Sequence, residues 1–453
     1  MSTSDPHRID RRRFLTLAGF GATASGLFLA GCASDKHGRA TTTIDVGTGA
    51  GTTGSSGSAT KSTDATTAAP QPAGKSQSVN AAAKSKRRLV VIELDGGNDG
   101  MSTLVPFGIS GYNDLRKRTA IDHKDLIEID KQVALHQNLK GMHGKGLALL
   151  QGVGTANPDG SHFAMMERWW RGDIAGNAGL PTGFLGRLCD ALADPAARVV
   201  GLSFGSGSHP AMQAARASTL SIPGAGSADY LVGADPNDKA RSSFQQALAD
   251  LGSGSGDGDT LALARRSERD AVGIATMLHG LDKEDKAPEY PGSTLANGLK
   301  VAARLLAADE HVRVIHVPMG ADFDTHQNHP GRHPGLLTEL NDAVVAFLND
   351  LEGRGLRDQV LVATTSEFGR TAADNGSDGL DHGTASVAML LGPVKAGVHG
   401  EHPSLTKLDD NSDLIATVNF DRYYATIAQS WFGIPASEVL PGNPLPIDGI
   451  INA

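Results

Sequence analysis

Cysteine is almost absent from this chain, which has only Cys32 and Cys189 among its 453 residues. Two cysteines exclude a disulfide scaffold and a zinc module built mainly from cysteine ligands. Aromatic residues are also scarce, at 5%. After residue 35 there is no uncharged apolar run of about eighteen residues, the length that a membrane-spanning helix needs. A protein with several membrane-spanning helices is therefore excluded.

An excess of positive charge is lacking too, because 41 Lys and Arg stand against 50 Asp and Glu, for a net charge of −9. A general nucleic-acid binder needs a basic surface to replace condensed counterions, so this class of function is not expected. Glycine is abundant, with 56 residues, and 40% of the chain is hydrophobic. The sequence thus has enough apolar residues for a sizeable core and many residues suited to turns.

The N-terminus carries the pattern of an export signal. Arg11 and Arg12 begin the sequence RRRFL, which is followed by a weakly apolar stretch and then by LAGC at residues 29–32. The first pattern resembles the signal read by the twin-arginine translocase, and the second resembles a bacterial lipobox. We predict that residues 1–31 are removed and that Cys32 is acylated, which would anchor the protein to the membrane of the cell envelope. A plain signal peptide or a short anchor helix is the alternative.

Residues 32–85 have the composition of a tether. From residue 41 to residue 84 the chain is mainly Thr, Ser, Gly and Ala. Such a segment cannot bury enough apolar surface to offset the entropy of ordering, so we predict disorder here. The folded domain is then expected to comprise residues 86–453.

The remainder of the chain has the pattern of an α/β domain. Helical patterns at 164–171, 295–308 and 334–351 alternate with apolar runs that are typical of strands covered on both faces. The predicted strands are 89–94, 147–153, 198–203, 312–317, 359–364 and 387–391. This alternation predicts a doubly wound, mostly parallel sheet. Residues 205–292, rich in Gly and Ser with a helical pattern near 260–281, are expected to form an insertion.

Unusual polar residues follow several of these strands, where ligands bind in open α/β sheets. We expect seven of them to meet at one edge: Asp95, Ser161, Asp324, His326, Glu367, Asp381 and His382. Carboxylates and imidazoles are ligands for divalent metals, and Ser161 opens a helix whose free N–H groups favour an anion. The set predicts a metal-dependent hydrolase acting on a small anionic ester. Each residue alone also has an ordinary interpretation, as a helix cap, a turn residue or a solvated side chain.

A set of motifs resembles the bacterial, often twin-arginine-exported family called domain of unknown function 1501: LDGGNDGMSTLVP, SHFAMMERWWRG, TGFLGR, FDTH, SEFGR, DHG and NFDRYYATIAQSWFG. The resemblance covers about residues 86–440. That family is similar in turn to the alkaline phosphatase/sulfatase superfamily. The resemblance implies an alkaline-phosphatase-like sheet with a metal site at the strand ends and hydrolysis of phosphate or sulfate esters.

The resemblance also implies roles for individual residues. Asp95 matches a metal-binding Asp, Ser161 takes the place of the nucleophile, and His382 matches the last His ligand. Asp324 and His326 match the ligands of one metal, although the spacing is Asp-x-His instead of the usual Asp-x-x-x-His.

The sequence SEFG departs further, since many superfamily members have Ser-Asp-His-Gly there. Glu367 replaces an Asp ligand, with Asp381 as a further candidate, while Phe368 cannot bind metal. One or two ions are therefore expected, zinc foremost, with manganese, magnesium or calcium as alternatives. An inactive site is the other outcome that these departures allow.

Further residues have two interpretations each. Arg370 can pair with a substrate phosphate or sulfate, or form a salt bridge with Asp374 or Glu367. Contacts to substrate or supporting contacts are expected from Asn98, Asp99 and His162, which also suit ordinary turn and helix-start roles. His329 is an alternative metal ligand.

The sequence is also compatible with two other functions. Residues 201–205 read GLSFG and fit Gly-x-Ser-x-Gly, which suggests a serine esterase with Ser203, Asp324 and His382 as its triad. The other rival is a surface lipoprotein that binds a ligand or partner with a degenerate site and catalyses nothing. Phe368 and the long tether favour that second rival.

Overall fold

The computed structural model describes residues 77–194, 197, 199–223, 246, 250 and 287–452. Several predictions fall outside these residues. They concern the signal peptide 1–31 with Arg11 and Arg12, the acylated Cys32, the tether up to residue 76 and the helix near 260–281.

The described residues contain twelve strands in two sheets. The strands are β1 Arg88–Glu93, β2 Leu104–Val105, β3 Leu126–Glu128, β4 Ala134–His136, β5 Ala148–Gly154, β6 Gly201–Phe204, β7 Thr219–Ile222, β8 Val314–Pro318, β9 Val360–Thr365, β10 Ser386–Leu391, β11 Gly397–His399 and β12 Val418–Asn419. All six predicted strands are confirmed as β1, β5, β6, β8, β9 and β10, with ends within three residues of those expected.

The large sheet has the order β11–β5–β10–β9–β1–β8–β6–β7, with β12 beside β5. Strand β1 is central and pairs in parallel with both β8 and β9. Strand β10 runs antiparallel to its two neighbours, β9 and β5. The amino end of β10 therefore lies at the same edge as the carboxyl ends of β1, β8 and β9. A separate antiparallel sheet of β2, β4 and β3, which the sequence did not indicate, completes the strands.

Ten α-helices accompany the strands in the described residues. They are α1 Gln77–Lys84, α2 Gly100–Thr103, α3 Tyr112–Leu115, α4 Lys140–Gly144, α5 His162–Arg171, α6 Phe184–Leu192, α7 Thr294–Ala308, α8 His329–Gly353, α9 Phe420–Ala425 and α10 Ala436–Val439. Short 3₁₀ turns occur at His123–Asp125, Gln137–Leu139, Pro210–Met212 and Arg357–Gln359, and a π-helix at Thr426–Trp431. The three predicted helices are confirmed as α5, α7 and α8.

Alternate residues of β1 enter two different cores, because successive side chains of a strand point to opposite faces. Val90 and Ile92 pack in the core that contains residues of α7 and α8. Leu89 and Val91 pack in the core that contains residues of α6 and α9. Helices thus cover both faces of the sheet, and the prediction of a doubly wound, mostly parallel α/β fold is confirmed.

Helix α1 lies within the stretch predicted to be disordered. Its Val79 and Ala82 are buried, and the helix packs against α6. Arg313 Nη1 donates a hydrogen bond to the carbonyl of Ala83 at 3.1 Å. The ordered domain therefore begins by residue 77, earlier than the expected residue 86, because two small apolar side chains in a polar-looking segment find a docking surface. None of the helices in the described part of the chain has the length and apolarity to span a bilayer.

Candidate metal centre

The turn after β1 brings three other segments together. Gly96 and Gly97 have φ of +96° and +83°, which side chains with a Cβ rarely adopt. A Cβ on Gly96 would lie 2.5 Å from the backbone N of Asp324, and one on Gly97 would lie 2.5 Å from the ring of Phe368. Glycine is thus required here for the segments after β8 and β9 to approach the end of β1.

His162, Asp324 and His382 meet at this edge of the sheet. Each offers one ligand atom, and the three atoms lie within 4.8 Å of one another. His382 Nε2 is 3.3 Å from Asp324 Oδ1, and His162 Nε2 is 3.7 Å from Asp324 Oδ2. Two imidazoles and a carboxylate form a donor set that suits zinc and leaves a coordination position open.

The two imidazoles are oriented by contacts on their far sides. His162 Nδ1 lies 2.8 Å from Glu367 Oε1, and His382 Nδ1 lies 2.7 Å from the carbonyl oxygen of Gly160. Protons on the Nδ1 atoms would satisfy both acceptors and leave the Nε2 lone pairs facing Asp324. This is the arrangement by which proteins commonly orient metal-binding histidines. The hydrogen bond to Glu367 raises the pKa of His162, and burial lowers the pKa of His382.

Arg370 contacts Asp324 from the interior of the protein. Its guanidinium is fully buried, and Nη2 donates a hydrogen bond to Asp324 Oδ1 at 2.6 Å. The same guanidinium donates to the carbonyls of Gly96, Gly97 and Leu380. Burial would raise the pKa of Asp324, but Arg370 outweighs it and lowers the pKa. The expected pairing of Arg370 with a substrate, Asp374 or Glu367 is therefore wrong, because its side chain faces the β1 turn instead of solvent.

His326 and Asp381 form the outer, solvent-facing part of the cluster. His326 Nε2 lies 3.0 Å from Asp324 Oδ1 and 2.9 Å from His382 Nε2, while its Nδ1 lies 2.7 Å from Asp381 Oδ1. The side chain of Asp381 is 58% exposed and also accepts a hydrogen bond from Asn375. Asp381 therefore supports His326 in this structure instead of facing the three central atoms.

Asp95 and Glu367 lie on the sheet side of the cluster. Burial, together with the carboxylates of Glu93, Glu367 and Asp322, raises the pKa of Asp95 to about 7. Glu367 is buried, and its Oε1 accepts a hydrogen bond from the backbone N of Gly96 at 2.8 Å. Because Oε1 also contacts His162, Glu367 orients that imidazole in this structure.

Phe368 forms an apolar wall against both imidazoles. Its ring stacks on His382 with centroids 4.7 Å apart and lies 4.8 Å from the ring of His162. The side chain is buried, at 2% exposure. Phe368 therefore restricts the rotation of the two rings, although it offers no ligand atom.

Ser161 is exposed at the start of α5, between Gly160 and His162, which both take part in the contacts above. Its Oγ accepts a hydrogen bond from the backbone N of Ala164 at the long distance of 3.5 Å. This is the ordinary contact of a helix N-cap. The hydroxyl is thus placed beside the cluster and is held only weakly.

Asn98 and Asp99 do not line the site, since both side chains are fully buried beneath it. Asp99 forms a two-pronged ion pair with Arg116, at 2.7 and 2.8 Å, and caps α2. Asn98 Oδ1 lies 3.0 Å from His333 Nε2. His329 is buried too, with Nε2 3.4 Å from Asp99 Oδ2. Asn98, Asp99 and His329 are therefore placed to support the turn from within the protein, and for Asp99 the alternative expectation of a helix-start role is confirmed.

Ser203 is not part of the expected esterase triad. It lies inside strand β6 with 1% exposure, and its Oγ is 3.0 Å from His316 Nδ1. In the part of the chain that the structure describes, Ser203 forms no hydrogen bond with Asp324 or His382. A nucleophile at a strand-to-helix turn needs an exposed hydroxyl, which this position does not provide.

The structure also groups three residues that the sequence analysis did not single out: Glu93, His209 and His316. Glu93 and His316 lie inside the apolar strands β1 and β8, so their pattern indicated only a buried core. The single signal that could have found them is the presence of a charged or imidazole side chain within runs that are otherwise apolar.

Comparison with known families gives a match over much of the chain. A family described as "Protein of unknown function (DUF1501)" matches residues 123–421, which are 299 of the 453 residues. The chain belongs to the DUF1501 family. The matched residues of this DUF1501 chain include His162, Asp324 and His382, while the β1 turn lies before them. A comparison with curated proteins gives no match.

Several solved structures are similar to this DUF1501 chain at low identity. One is "Ps i-CgsB in complex with k-i-k-neocarrahexaose", with 14% identity, a TM-score of 0.40 and coverage of 79% of this chain and 75% of that one. A second is the "PsFucS1 sulfatase from Pseudoalteromonas sp.", with 12% identity, a TM-score of 0.37 and coverage of 84% of this chain and 75% of that one. A third is "a Protein in the Alkaline Phosphatase Superfamily from Vibrio parahaemolyticus", with 8% identity, a TM-score of 0.35 and coverage of 79% of this chain and 74% of that one.

Proposed function

We propose that this protein is an exported, lipid-anchored, metal-dependent hydrolase of phosphate or sulfate esters. The observation that carries the proposal is the meeting of His162, Asp324 and His382, whose ligand atoms lie within 4.8 Å of one another at the ligand-binding edge of the sheet. Two of these three residues, Asp324 and His382, are positions where the sequence resembles metal ligands of the alkaline phosphatase/sulfatase superfamily, while His162 was expected only to contact substrate or to support the site. The export signal and Cys32 supply the proposed route and anchor.

The donor set fits a zinc-type cation. Imidazole nitrogens and carboxylate oxygens both bind zinc, whereas magnesium and calcium prefer oxygen alone. His162, Asp324 and His382 would hold the ion, with His326 next to them. When bound, the ion supplies positive charge that polarises the ester and offsets the charge of the reacting group. The raised pKa of Asp95 marks a carboxyl that a nearby cation would ionise, which makes Asp95 a candidate for a further ligand.

Ser161 is the proposed nucleophile. Its exposed hydroxyl lies at the N-terminus of α5, where unpaired backbone N–H groups and the helix dipole favour an anionic ester. Ser161 Oγ would bond to phosphorus or sulfur as the bond to the ester oxygen breaks. The hydroxyl proton passes to water, and the leaving oxygen takes a proton from water. A second water then cleaves the seryl ester and releases phosphate or sulfate.

The test is ester turnover and zinc content of the full chain. We expect zinc-loaded protein to hydrolyse 4-nitrophenyl phosphate or 4-nitrophenyl sulfate, and Ser161→Ala to lose about 10³-fold in kcat while retaining zinc. Asp324→Asn should lose both zinc and turnover. His123→Gln is the matched control, because this exposed histidine takes no part in the cluster: its Nε2 lies 3.3 Å from Glu128 Oε1 and its ring packs edge-on against Phe107. Zinc-loaded protein that hydrolyses no member of an ester panel would contradict the proposal.

A binding protein without catalysis is the second candidate, and Phe368 favours it. The ring packs against both imidazoles, at a position where many members of the alkaline phosphatase/sulfatase superfamily have a histidine, so the resemblance implies the loss of one metal ligand here. Zinc binding without turnover of any ester, in wild type and in Phe368→His alike, would support this candidate.

The anchor has a separate test. Cys32→Ala should abolish incorporation of labelled palmitate and release the protein from the membrane fraction. Arg11→Lys combined with Arg12→Lys should retain the precursor inside the cell. A Cys32→Ala protein that stays in the membrane fraction would contradict the lipid anchor.

A further inference from the structure

A second cluster of ligand atoms lies on the central strands, apart from the three residues of the first centre. Glu93 ends β1, His316 lies in β8, and His209 immediately precedes the 3₁₀ turn Pro210–Met212. Glu93 Oε2 lies 2.8 Å from His316 Nε2 and 3.2 Å from His209 Nε2. The three ligand atoms lie within 4.8 Å of one another.

The two oxygens of Glu93 have different partners. Trp170 Nε1 donates a hydrogen bond to Oε1 at 2.5 Å, which leaves Oε2 for the two imidazoles. Glu93 is 8% exposed, so its carboxylate is largely removed from solvent and is held between the indole and the two imidazoles.

The imidazole of His316 is oriented from its far side. Its Nδ1 lies 3.0 Å from Ser203 Oγ, so Nε2 points at Glu93. The rings of His209 and His316 stack with centroids 4.0 Å apart, which places their Nε2 atoms side by side. Ser203 is therefore a positioning residue for His316.

His209 has one contact that ligation would break. Its Nδ1 accepts a hydrogen bond from the backbone N of Ala211 at the long distance of 3.3 Å, which requires a lone pair on Nδ1. Ligation of a metal through Nε2 would place a proton there instead. One long neutral hydrogen bond is weak compared with the coordination of zinc by two imidazoles and a carboxylate, so this loss does not prevent binding.

The observed distances suit a tetrahedral ion after a small adjustment. With bonds of about 2.1 Å to zinc, ligand atoms in a tetrahedron lie about 3.4 Å apart. The distances from Glu93 Oε2 to His316 Nε2 and to His209 Nε2 would lengthen by about 0.6 and about 0.2 Å. A small cavity lined by Glu93, His316, Trp170 and Glu367 borders two of the three proposed ligands.

We propose that Glu93, His209 and His316 bind a second zinc-type divalent cation, independently of the centre at His162, Asp324 and His382. The ion would join β1, β8 and the segment before residue 210. This proposal does not depend on ester hydrolysis.

The first test is the zinc stoichiometry of the metal-stripped full chain, measured by equilibrium dialysis with zinc chloride and elemental analysis. We expect His209→Gln and Glu93→Gln each to lose about one equivalent relative to wild type. His311→Gln is the matched control, because this histidine contacts a single carboxylate, Asp194, at 3.1 Å. Identical stoichiometry in wild type, His209→Gln and Glu93→Gln would overturn the proposal.

Trp170 gives a local signal, since its indole contacts Glu93 and its ring packs edge-on against His209 at 5.1 Å. Zinc should change tryptophan emission in wild type and in Asp324→Asn, but not in His209→Gln. Ser203→Ala, which leaves all three ligands in place, should weaken zinc binding at this site about 10- to 100-fold.

Loss of the emission change in Asp324→Asn but not in His209→Gln would assign the signal to the first centre and overturn the proposal. Loss of turnover in Asp324→Asn with the emission change retained would bear only on the proposed hydrolase.

Discussion

Arg370 Nη2 lies 2.6 Å from Asp324 Oδ1, and the guanidinium that makes this contact has no exposed surface. Because the same side chain also donates to the carbonyls of Gly96, Gly97 and Leu380, it ties the β1 turn to the carboxylate of the candidate centre. A residue expected to hold substrate is thus the structural support of a candidate metal ligand.

Replacing Arg370 by Met should destabilise the metal-stripped protein by about 2–3 kcal/mol. The substitution leaves buried carbonyls and a half-buried carboxylate without their donor, but Asp324 keeps some solvent, so the cost falls below that of a fully buried pair. Urea unfolding measures the difference. In the control Arg118→Met, the partner Asp378 and Arg118 are both about half exposed, and the loss should stay below about 1 kcal/mol. Equal losses in the two variants would contradict this account of Arg370.

Gly96→Ala should lower the free energy of unfolding by more than the positive φ of this residue alone explains. A Cβ at this position would contact Asp322 Oδ1 and lie 2.5 Å from the backbone N of Asp324. Gly146 has a similar φ of +86° and no atom within 4 Å of an added Cβ, so Gly146→Ala isolates the backbone cost of about 1–2 kcal/mol. We expect Gly96→Ala to lose at least about 3 kcal/mol, because the turn must move as well. It should also bind less zinc, as elemental analysis would show. Unchanged zinc content in Gly96→Ala would show that the conformation of the β1 turn does not affect metal binding.

Phe368→Ala should weaken zinc binding as well as stability. Removing the ring leaves a cavity that costs about 3–4 kcal/mol and frees the rings of His162 and His382 to rotate. We expect zinc affinity to fall about tenfold, the lower end of the effect of losing an orienting contact. Phe347→Ala, in the core on the α8 side, should lose similar stability with unchanged zinc affinity. Calorimetric titration compares the two, and equal affinities would assign Phe368 a packing role only.

Asp413 should make stability depend on pH. Burial, and then the charge of Asp409, raises the pKa of Asp413 to about 6. Since the folded state binds this proton more tightly than the unfolded state does, stability falls as the pH rises from about 4 to above 6. At pH 8 the neutral Asp413→Asn should be more stable than wild type by about 1–2 kcal/mol, after allowance for solvent screening, and near pH 3.5 the gain should vanish.

The control for Asp413 is Asp410→Asn, which makes the same charge change at an exposed position three residues away. Thermal unfolding at both pH values measures the two variants. A pH-independent gain in Asp413→Asn would indicate that the amide improves packing instead of removing a buried charge.

The main strands could be predicted because they are buried on both faces and therefore read as apolar runs. Strands β7, β11 and β12 could not, since they are two to four residues long and are defined by pairing with distant segments. Helix α1 was missed for a related reason, because only half of its eight residues are apolar and its order depends on docking against α6.

Part of the candidate site could be predicted because strand ends meet at one edge of a parallel sheet. Asp324 and His382 do meet there, and His162, which was expected only to contact substrate or to support the site, joins them as a third possible ligand. For Asn98 and Asp99 the sequence left two interpretations open, a contact with substrate and a supporting turn or helix-start role, because a glycine-rich turn is typical of both. Their burial depends on Arg116 and His333, whose positions relative to the turn are set by tertiary packing.

The reversed direction of β10 has a consequence for engineering. Residues 366–385 leave the sheet at the carboxyl end of β9 and re-enter it at the amino end of β10, so this excursion starts and finishes at one edge. Glu367, Phe368, Arg370, Asp381 and His382 all lie on it. An exchange of this one excursion would therefore change five contributions to the centre at once, while its two ends stay fixed at neighbouring strands of the sheet.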